Sequence, residues 1–348
     1  MRELELLEGL LQHYSPTHAE GEAVAYLVNW MGSAGYTACV DGIGNAVGSR
    51  GDGPREVILL GHIDTVPGQI EIRREGDLLY GRGAVDAKGP LACFAWAAAQ
   101  VEVPPGWRVT VIGAVGEEGH SRGARYILDK YHPDALVIGE PGRWNRVTLG
   151  YKGSVWFTYN LSLAQTHTAA RSESACEAAV AFWNNLQDWC STRNMGREGA
   201  FEQVTPTLRG MESGGDSFTE TACLKIGVRL PPGLEPHALL GYMMESKGVA
   251  DLTMEDGATA AYRAEKNTPL VRAFLAAIRA DGGTPSFTLK TGTSDMNLAA
   301  PIWKCQTLAY GPGDSSLDHT PDEHISIIEY QAGVKVLKGA LERLMGVV

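Results

Sequence analysis

The sequence Gly61-His62-Ile63-Asp64-Thr65-Val66-Pro67 follows directly on the apolar run Val57-Ile58-Leu59-Leu60. A short run of branched aliphatic residues after Gly53-Pro54 predicts a buried strand, so the histidine and the aspartate come where that strand ends. Side chains two residues apart on an extended chain point to the same side. We therefore expect His62 and Asp64 to share one pocket, in which His62 could bind a metal ion while Asp64 holds its ring. Taken alone, the pair is equally compatible with a strand end that carries two satisfied polar residues.

Further carboxylates and a second histidine lie in glycine-rich blocks, several of which follow predicted strands. In chain order these blocks are Gly81-Arg82-Gly83-Ala84-Val85-Asp86-Ala87-Lys88-Gly89, Gly116-Glu117-Glu118-Gly119, Gly139-Glu140-Pro141 and Asp318-His319-Thr320. An open α/β sheet forms its site at the carboxyl ends of its strands. The sequence therefore predicts that these side chains converge on one site.

Composition and charge narrow the class of protein. The chain has 348 residues, of which 44% are hydrophobic and 20% are charged, which are values of a globular protein with one large domain or two ordinary ones. The sequence contains no apolar segment of about 20 residues and no signal peptide, so we expect a soluble, cytoplasmic protein. The formal net charge of −11 argues against nucleic acid or an anionic membrane as a general partner.

The order of predicted elements indicates two domains. Strands and helices alternate up to Glu140, which favours an α/β fold with a mostly parallel sheet covered by helices. From residue 152 the order becomes strand, helix, strand, strand, helix, strand, which is typical of a small α+β sandwich. Parallel-sheet character returns after residue 263. We therefore predict a discontinuous catalytic domain, residues 1–151 and 264–348, interrupted by a lid domain, residues 152–263.

The convergent residues suit a pair of zinc ions. Each ion needs about four ligands from imidazole and carboxylate groups, with a position left open, and a shared carboxylate holds two ions about 3.5–4 Å apart. Asp86 suits the bridging position, although it could instead cap the following helix. Glu117 and Glu118 are adjacent and cannot both point the same way on an extended backbone. One of them can bind metal while the other acts as a general base, unless the pair is only a solvated turn.

Two other classes of protein fit the sequence less well. A serine or cysteine hydrolase is disfavoured, because there is no G-x-S-x-G elbow and no cysteine in the blocks at the strand ends. A non-catalytic binding protein that kept the fold would be marked by the loss of the general base or of a metal ligand, and both glutamates and all of the candidate ligands are present.

The blocks G-H-x-D-T-V-P, G-R-G-x-x-D-x-K-G, G-E-E-G and G-E-P, followed by the late loop histidine, cover nearly the whole chain in this order. Together they resemble the dinuclear-zinc amidohydrolase and exopeptidase family. That family includes acetylornithine deacetylase, succinyl-diaminopimelate desuccinylase, aminoacylase and carboxypeptidases. The resemblance implies a zinc-binding α/β domain interrupted by an α+β lid that commonly dimerises.

The resemblance also implies two Zn²⁺ ions per chain, with Co²⁺ able to substitute, and a role for each motif residue. It implies that His62 and Glu140 bind one ion, that Glu118 and His319 bind the other, and that Asp86 bridges the two. It also implies that Asp64 orients His62 and that Glu117 is the general base.

Within the family, the short segment between Pro67 and Leu79 and the compact chain narrow the resemblance. The segment Asn45-Ala46-Val47-Gly48 and the segment at 290–297 narrow it further. All four features make the chain most similar to hydrolases that release lysine or ornithine from a small acidic amino-group carrier protein. Those enzymes act in lysine biosynthesis through 2-aminoadipate, on an amide between the carrier's terminal glutamate side chain and the α-amino group. N-acetylornithine deacetylation or succinyl-diaminopimelate desuccinylation is the alternative, followed by a general carboxypeptidase or dipeptidase. The choice between lysine and ornithine stays open.

The lid contributes further candidates. His167, in Gln165-Thr166-His167-Thr168, falls where the family places a histidine that reaches the partner subunit's site and steadies the oxyanion, the alternative being a surface loop histidine. A homodimer through the lid is therefore expected. Arg229 could hold a substrate carboxylate as a planar fork, with help from Thr293 and Ser294. The alternatives are a solvent-facing strand arginine and a capped helix start.

An acidic carrier would be repelled by a uniformly negative surface. We therefore expect a local basic patch near the mouth of the site, and the nearest cationic residues to Glu140 in sequence are Arg143, Arg146 and Lys152.

Overall fold

The structure is a computed structural model that describes residues 3–167, 169 and 172–347. These residues form two compact units. The first contains residues 3–150, Ala264–Leu289 and 294–347, and the second contains Tyr151–Arg263 and Lys290–Thr293. The sequence placed the first boundary one residue later and left Lys290–Thr293 in the first unit. That segment belongs with the second unit because the Lys152 amide donates to the Lys290 carbonyl, at 3.2 Å.

The helices and strands follow one another in two stretches of the chain. Those before the second unit are α1 (Glu3–Gln12), α2 (Gly21–Ser33), β1 (Thr37–Val40), β2 (Ala46–Arg50), β3 (Arg55–His62), β4 (Arg73–Glu75), β5 (Leu78–Tyr80), α3 (Lys88–Ala99), β6 (Trp107–Ala114), α4 (Arg122–Ile127), β7 (Ala135–Gly139) and β8 (Arg146–Tyr151). Those that follow are β9 (Gly153–Ala164), α5 (Ala175–Asn194), β10 (Thr205–Gly215), β11 (Thr219–Leu230), α6 (Pro236–Ser246), β12 (Asp251–Met254), β13 (Tyr262–Arg263), α7 (Pro269–Ala280), β14 (Ser286–Lys290), α8 (Met296–Trp303), β15 (Gln306–Ala309), β16 (His324–Ser326) and α9 (Ile327–Met345).

The large sheet orders its strands β1-β2-β6-β3-β7-β15-β8, and β14 also pairs with β8. Strand β3 is parallel to β6 and β7, and β15 is parallel to β7. The outer strands β1, β2 and β8 pair in antiparallel fashion. The predicted α/β class is confirmed, with the parallel pairing concentrated at the centre of the sheet.

The core explains why these segments fold as they do. Val57 to Leu60 of β3 are completely buried, as expected for a strand hydrogen-bonded on both sides at the centre of a covered sheet. Helix α7 buries Leu270, Phe274, Ala277 and Ile278, whose spacing makes one apolar stripe. Helix α3 packs against α1 and α9, and α9 packs against α7. None of the described helices combines the length and apolarity needed to cross a membrane.

The second unit has an antiparallel sheet in the order β10-β11-β9-β12. Alternate residues of β9, such as Phe157 and Tyr159, are buried in a core that includes Phe182 and Leu186 of α5. Ser174 and Glu177 form a capping box at the start of α5. The predicted order of strand, helix, strand, strand, helix, strand is confirmed.

A third, small sheet joins distant parts of the first unit. Its order is β16-β5-β4, and His324 of β16 lies opposite Tyr80 of β5. The chain leading out of the His319 loop is therefore held beside the start of the glycine-rich turn that carries Asp86.

Candidate dinuclear metal centre

The metal-binding candidates meet at one edge of the large sheet. His62 ends β3, Glu117 and Glu118 follow β6, and Glu140 follows β7. These three strands are adjacent and parallel, so their carboxyl ends lie side by side. The turn before α3 adds Asp86, and the loop between β15 and β16 adds His319.

These side chains form two groups that share one aspartate. The first group is His62, Asp86 and Glu140, and the second is Asp86, Glu118 and His319; within each, the potential ligand atoms lie within 4.8 Å of one another. Asp86 Oδ1 is 3.1 Å from His62 Nε2, and its Oδ2 is 3.0 Å from His319 Nε2. Each oxygen of the shared carboxylate therefore serves one group.

The remaining distances also suit metal ions. Glu118 Oε1 is 2.9 Å from His319 Nε2, and Glu140 Oε1 is 3.9 Å from His62 Nε2. A tetrahedral ion with zinc-like bond lengths keeps its ligand atoms about 3.3 Å apart. Imidazole nitrogens and carboxylate oxygens are donors that zinc accepts, and three carboxylates beside two imidazoles leave an excess of negative charge. The residues present therefore fit two divalent ions that share Asp86.

Asp64 contacts both the His62 ring and the turn that carries Glu117 and Glu118. The ring nitrogen Nδ1 of His62 is 2.9 Å from the main-chain carbonyl of Asp64 and 3.6 Å from its carboxylate. Because a carbonyl only accepts, Nδ1 carries the proton and Nε2 is left to face Asp86. The Asp64 carboxylate instead accepts the amides of Glu117 and Glu118, at 3.0 and 3.2 Å. Asp64 thus orients the His62 ring through its backbone and holds the Glu117–Glu118 turn through its side chain.

Asp86 is not the cap of the following helix. The N-cap residue of α3 is Ala87, and no side chain caps that helix. The Asp86 carboxylate faces the two histidines instead. The Asp86–Ala87 peptide bond is cis.

The adjacent glutamates have different surroundings. The Glu118 carboxylate contacts His319, whereas no side chain in the described part of the molecule makes a hydrogen bond or ion pair with the Glu117 carboxylate. Burial raises the pKa of Glu117 well above its usual value, and the charge of Asp295 raises it further. The geometry therefore shows that Glu118 is held by His319, whereas the Glu117 carboxylate is free to exchange a proton.

The charges of the centre shift its other pKa values as well. Burial raises the pKa of Glu140, and nearby Asp86 adds to the shift. Hydrogen bonds to Asp86 and Glu118 raise the pKa of His319 to about 10. Burial lowers the pKa of His62, but hydrogen bonds to Asp64 and Asp86 outweigh it, so the pKa is raised. In the metal-free protein, His319 is therefore protonated on both ring nitrogens at neutral pH, and the pKa of His62 is shifted in the same direction.

Metal uptake is expected to release protons. A metal ion binds neutral imidazole, so at pH 8 the ion held by His319, whose pKa is about 10, should displace about one proton from that ring. Titrating Zn²⁺ into weakly buffered metal-free protein with a pH indicator measures this release. The His319→Ala variant should release about one proton fewer, and the absence of any release at pH 8 would contradict the assignment.

The raised pKa of His319 makes the stability of the metal-free protein depend on pH. The folded pKa of His319, about 10, lies above the value of about 6.5 for an unfolded histidine. The contribution of its ion pairs to stability is therefore complete below pH 6.5 and is lost as the pH rises through about 10.

The sequence reasoning missed several residues that support the centre. The Ser15 hydroxyl donates to the Ile63 carbonyl, and the Thr17 hydroxyl donates to Asp64 Oδ2, at 2.7 and 2.8 Å. Lys88, completely buried, donates from Nζ to the carbonyls of Leu10 and His13. The position of Lys88 in the glycine-rich block that carries Asp86 could have indicated its supporting role. No local sequence pattern indicates the contacts of Ser15 and Thr17.

Asp295 is a further residue that the sequence reasoning did not select. It is buried at the start of α8, and its Oδ1 atom has no hydrogen-bond partner in the described part of the chain. Burial raises its pKa to about 6. Its charge acts on Glu117, which places it among the groups that set the proton affinity of that glutamate.

The predicted lid and substrate residues lie in or next to the second unit. His167 is exposed, and its Nδ1 accepts the Ala169 amide at 3.1 Å. Arg229 donates to the Thr293 hydroxyl at 3.3 Å, and within the described residues no carboxylate is ion-paired with it. Ser294 is buried, and its hydroxyl accepts the Met296 amide, so it supports the start of α8.

The expected basic patch has a different character in the structure. Arg143 is ion-paired with Asp314 and with Glu329. Lys152 is buried, and its Nζ donates to the Ala200 carbonyl and to the Thr205 hydroxyl. Arg143 is therefore neutralised by two carboxylates and Lys152 is hydrogen-bonded inside the protein, whereas Arg146 is exposed.

Comparison with known proteins adds a family match. The model of peptidase family M20/M25/M40 matches residues 58–343, a range that includes His62, Asp86, Glu140 and His319. The chain is similar to a LysW-lysine hydrolase of Deinococcus radiodurans, with 44% identity over 98% of this chain and 97% of the relative. It is also similar to a putative LysW-lysine/LysW-ornithine hydrolase of Thermococcus kodakarensis, with 39% identity over 99% of this chain and 92% of the relative.

A solved structure shares the fold. The M20 family metallo-carboxypeptidase of Sulfolobus solfataricus superposes with a TM-score of 0.79 at 18% identity, covering the whole of both chains.

Proposed function

The chain belongs to peptidase family M20/M25/M40 and is a metal-dependent hydrolase, and we propose that it cleaves the amide bond that joins lysine or ornithine to an amino-group carrier protein. The released amino acid serves lysine biosynthesis, or arginine biosynthesis where the cargo is ornithine. The similarity to relatives named for this activity, 44% and 39% identity over nearly full length, supports the substrate. The free Glu117 carboxylate beside two groups that share Asp86 is the observation that supports the chemistry.

We propose that the centre holds two Zn²⁺ ions, which Co²⁺ can replace. His62, Asp86 and Glu140 would hold one ion, and Asp86, Glu118 and His319 the other. The ions supply Lewis-acid activation of the substrate carbonyl and of the attacking water. The chain's own groups must then position the substrate and move protons.

Glu117 is suited to the proton transfers. Its carboxylate would accept a proton as the water oxygen adds to the amide carbon, and would return that proton to the leaving nitrogen as the C–N bond breaks. The products are the free amino acid and a carrier whose glutamate side chain is again a carboxylate. The backbone of Glu117, held by the Asp64 carboxylate, keeps the base in place during both transfers.

Arg229 and Thr293 are proposed to recognise the substrate's α-carboxylate. A guanidinium presents donors in a planar fork that matches a carboxylate, and Arg229 has no acidic ion-pair partner among the described residues. The Thr293 hydroxyl, which accepts from Arg229 Nη1, would hold the fork in position. Ser294, whose hydroxyl is used at the start of α8, would act only by supporting this loop.

The lid is proposed to pair two chains and to lend His167 to the neighbouring site. Strands β10 and β12 are the edges of the lid sheet, and an edge strand presents unpaired backbone groups. His167 is exposed, and among the described residues its ring is hydrogen-bonded only to the Ala169 amide through Nδ1, so Nε2 is available for an oxyanion.

The substrate proposal is tested by direct competition. Zinc-loaded protein is expected to hydrolyse carrier-linked lysine or ornithine with a kcat/KM about tenfold or more above that for N-acetylornithine, because only the conjugates can make additional contacts through the carrier protein. Amino-acid release is measured for each substrate, and Glu117→Gln protein prepared in parallel controls for contaminating hydrolases. Faster turnover of N-acetylornithine than of both conjugates would favour a deacetylase.

A further inference from the structure

The carboxylate of Glu323, the last residue of the loop that carries His319, contacts the turn that carries Asp86. It is completely buried, and both of its oxygens are used. Oε1 accepts the amides of Val85 and Asp86, at 2.9 and 3.0 Å, and Oε2 accepts from Arg82 Nη1 at 2.8 Å. One side chain from the late part of the chain therefore holds the backbone of the residue that both metal groups share.

Arg82 extends this connection to the loop that follows His62. Its Nη1 is paired with Glu323, while its Nε donates to the Gly68 carbonyl at 2.8 Å. The Gly68 amide in turn donates to the Tyr14 hydroxyl, at 2.9 Å. Arg82 thus links three segments: its own turn, the loop after β3 and the His319 segment.

The backbone near Glu323 is held as well. The Gly81 amide donates to the Glu323 carbonyl at 3.3 Å, and β16 begins at the next residue and pairs with β5. Four residues earlier, His319 has φ 61°, in the left-handed region. A non-glycine residue keeps that conformation only where the surrounding structure holds it. Glu323 is the nearest buried anchor to His319 in sequence.

A stability role alone does not account for this arrangement. A buried ion pair gains little over apolar side chains of similar volume, because removing two charges from water costs about as much as their attraction returns. Buried partners of metal ligands commonly orient those ligands. The contacts of Glu323 meet that description, since one of them ends on the amide of Asp86 and Glu323 itself belongs to the loop that presents His319.

We propose that Glu323 and Arg82 are positioning residues that set the place of Asp86 and His319 for binding the metal ions. The inference rests on the ligand roles proposed above for Asp86 and His319. It assigns a function to the arginine of the glycine-rich block and to a glutamate outside all of the motifs.

The test measures metal binding directly. Metal-free Glu323→Ala protein is titrated with Co²⁺, and affinity and stoichiometry are read from the ligand-field absorption, which also reports coordination geometry. Metal affinity is expected to fall by about 10–100-fold, with an altered spectrum. Glu323→Gln keeps an oxygen acceptor for the Asp86 amide and should bind more tightly than Glu323→Ala but more weakly than the wild type.

Glu56→Gln is the matched control. Glu56 is also a buried carboxylate of the first unit and accepts from the Thr110 hydroxyl at 2.6 Å, but it lies at the amino end of β3, about 20 Å along the strand from His62. This variant should lower the thermal midpoint while leaving Co²⁺ affinity and spectrum unchanged. Wild-type affinity and spectrum in both Glu323 variants, with only a lower midpoint, would overturn the proposal. If Glu323→Ala does not fold, wild-type metal binding by Glu323→Gln alone overturns it.

His319→Ala separates this inference from the ligand assignment. If His319→Ala loses metal and Glu323→Ala does not, the positioning role fails while the metal centre stands. If His319→Ala binds both ions normally, the ligand assignment itself is wrong, and the positioning role falls with it.

Discussion

Glu117→Gln is expected to lower kcat by about 10²–10⁴-fold, the range that a general base contributes. Glutamine matches the shape of glutamate but cannot accept a proton from water. The Glu117 carboxylate makes no hydrogen bond or ion pair with a side chain in the described residues, so its replacement should leave two bound ions per chain. The measurement is steady-state turnover beside elemental analysis of the same preparation.

Glu118→Gln is the neighbouring control. Glu118 Oε1 lies 2.9 Å from His319 Nε2, so this variant should lose metal as well as activity. Loss of an ion from Glu117→Gln, together with full metal content in Glu118→Gln, would show that the two roles have been exchanged.

Asp86→Ala is expected to have the second large effect, because it removes a ligand from both groups at once. Its two oxygens lie 3.1 and 3.0 Å from the two histidines, and no other described side chain belongs to both groups. Metal content should fall from two ions to below about one per chain, and activity should fall to that of chelator-treated protein. Activity of the chelated wild type should return with Zn²⁺ or Co²⁺.

Asp134→Asn serves as the control for loss of an aspartate. Asp134 accepts the Glu56 amide at 2.8 Å, just before β7 begins and at the opposite end of that strand from Glu140. It should retain both ions and full turnover. Two tightly bound ions in Asp86→Ala would rule out a shared carboxylate.

The gathering of His62, Glu117, Glu118 and Glu140 could be predicted from the sequence because each follows a short apolar strand. Parallel neighbours bring their carboxyl ends to one edge, whatever the details of packing. The inserted α+β unit could be predicted for a similar reason, since alternation of apolar residues in β9 differs from the continuous apolar run of β3.

The supporting contacts could not be predicted in this way. Asp64 was expected to orient the His62 ring, and the sequence does not tell that the backbone carbonyl of Asp64 makes the hydrogen bond to that ring. Glu323 contacts Asp86 across 237 positions in sequence, and no local pattern reports a contact of that range. The antiparallel pairing of β1, β2 and β8 also depends on how the chain returns, which apolar content does not encode.

The placement of β15 has a consequence for the order in which a chain leaving the ribosome can assemble its site. His62, Asp86 and Glu140 are synthesised together, so the first metal group is available early. His319 follows Glu140 by about 180 residues, which takes roughly 10–35 s at ordinary rates of translation. Strand β15, made in the same late stretch, must enter between β7 and β8. A nascent chain therefore has the residues of the first candidate metal group before it has His319 of the second, and β15 can take its place between β7 and β8 only late in synthesis.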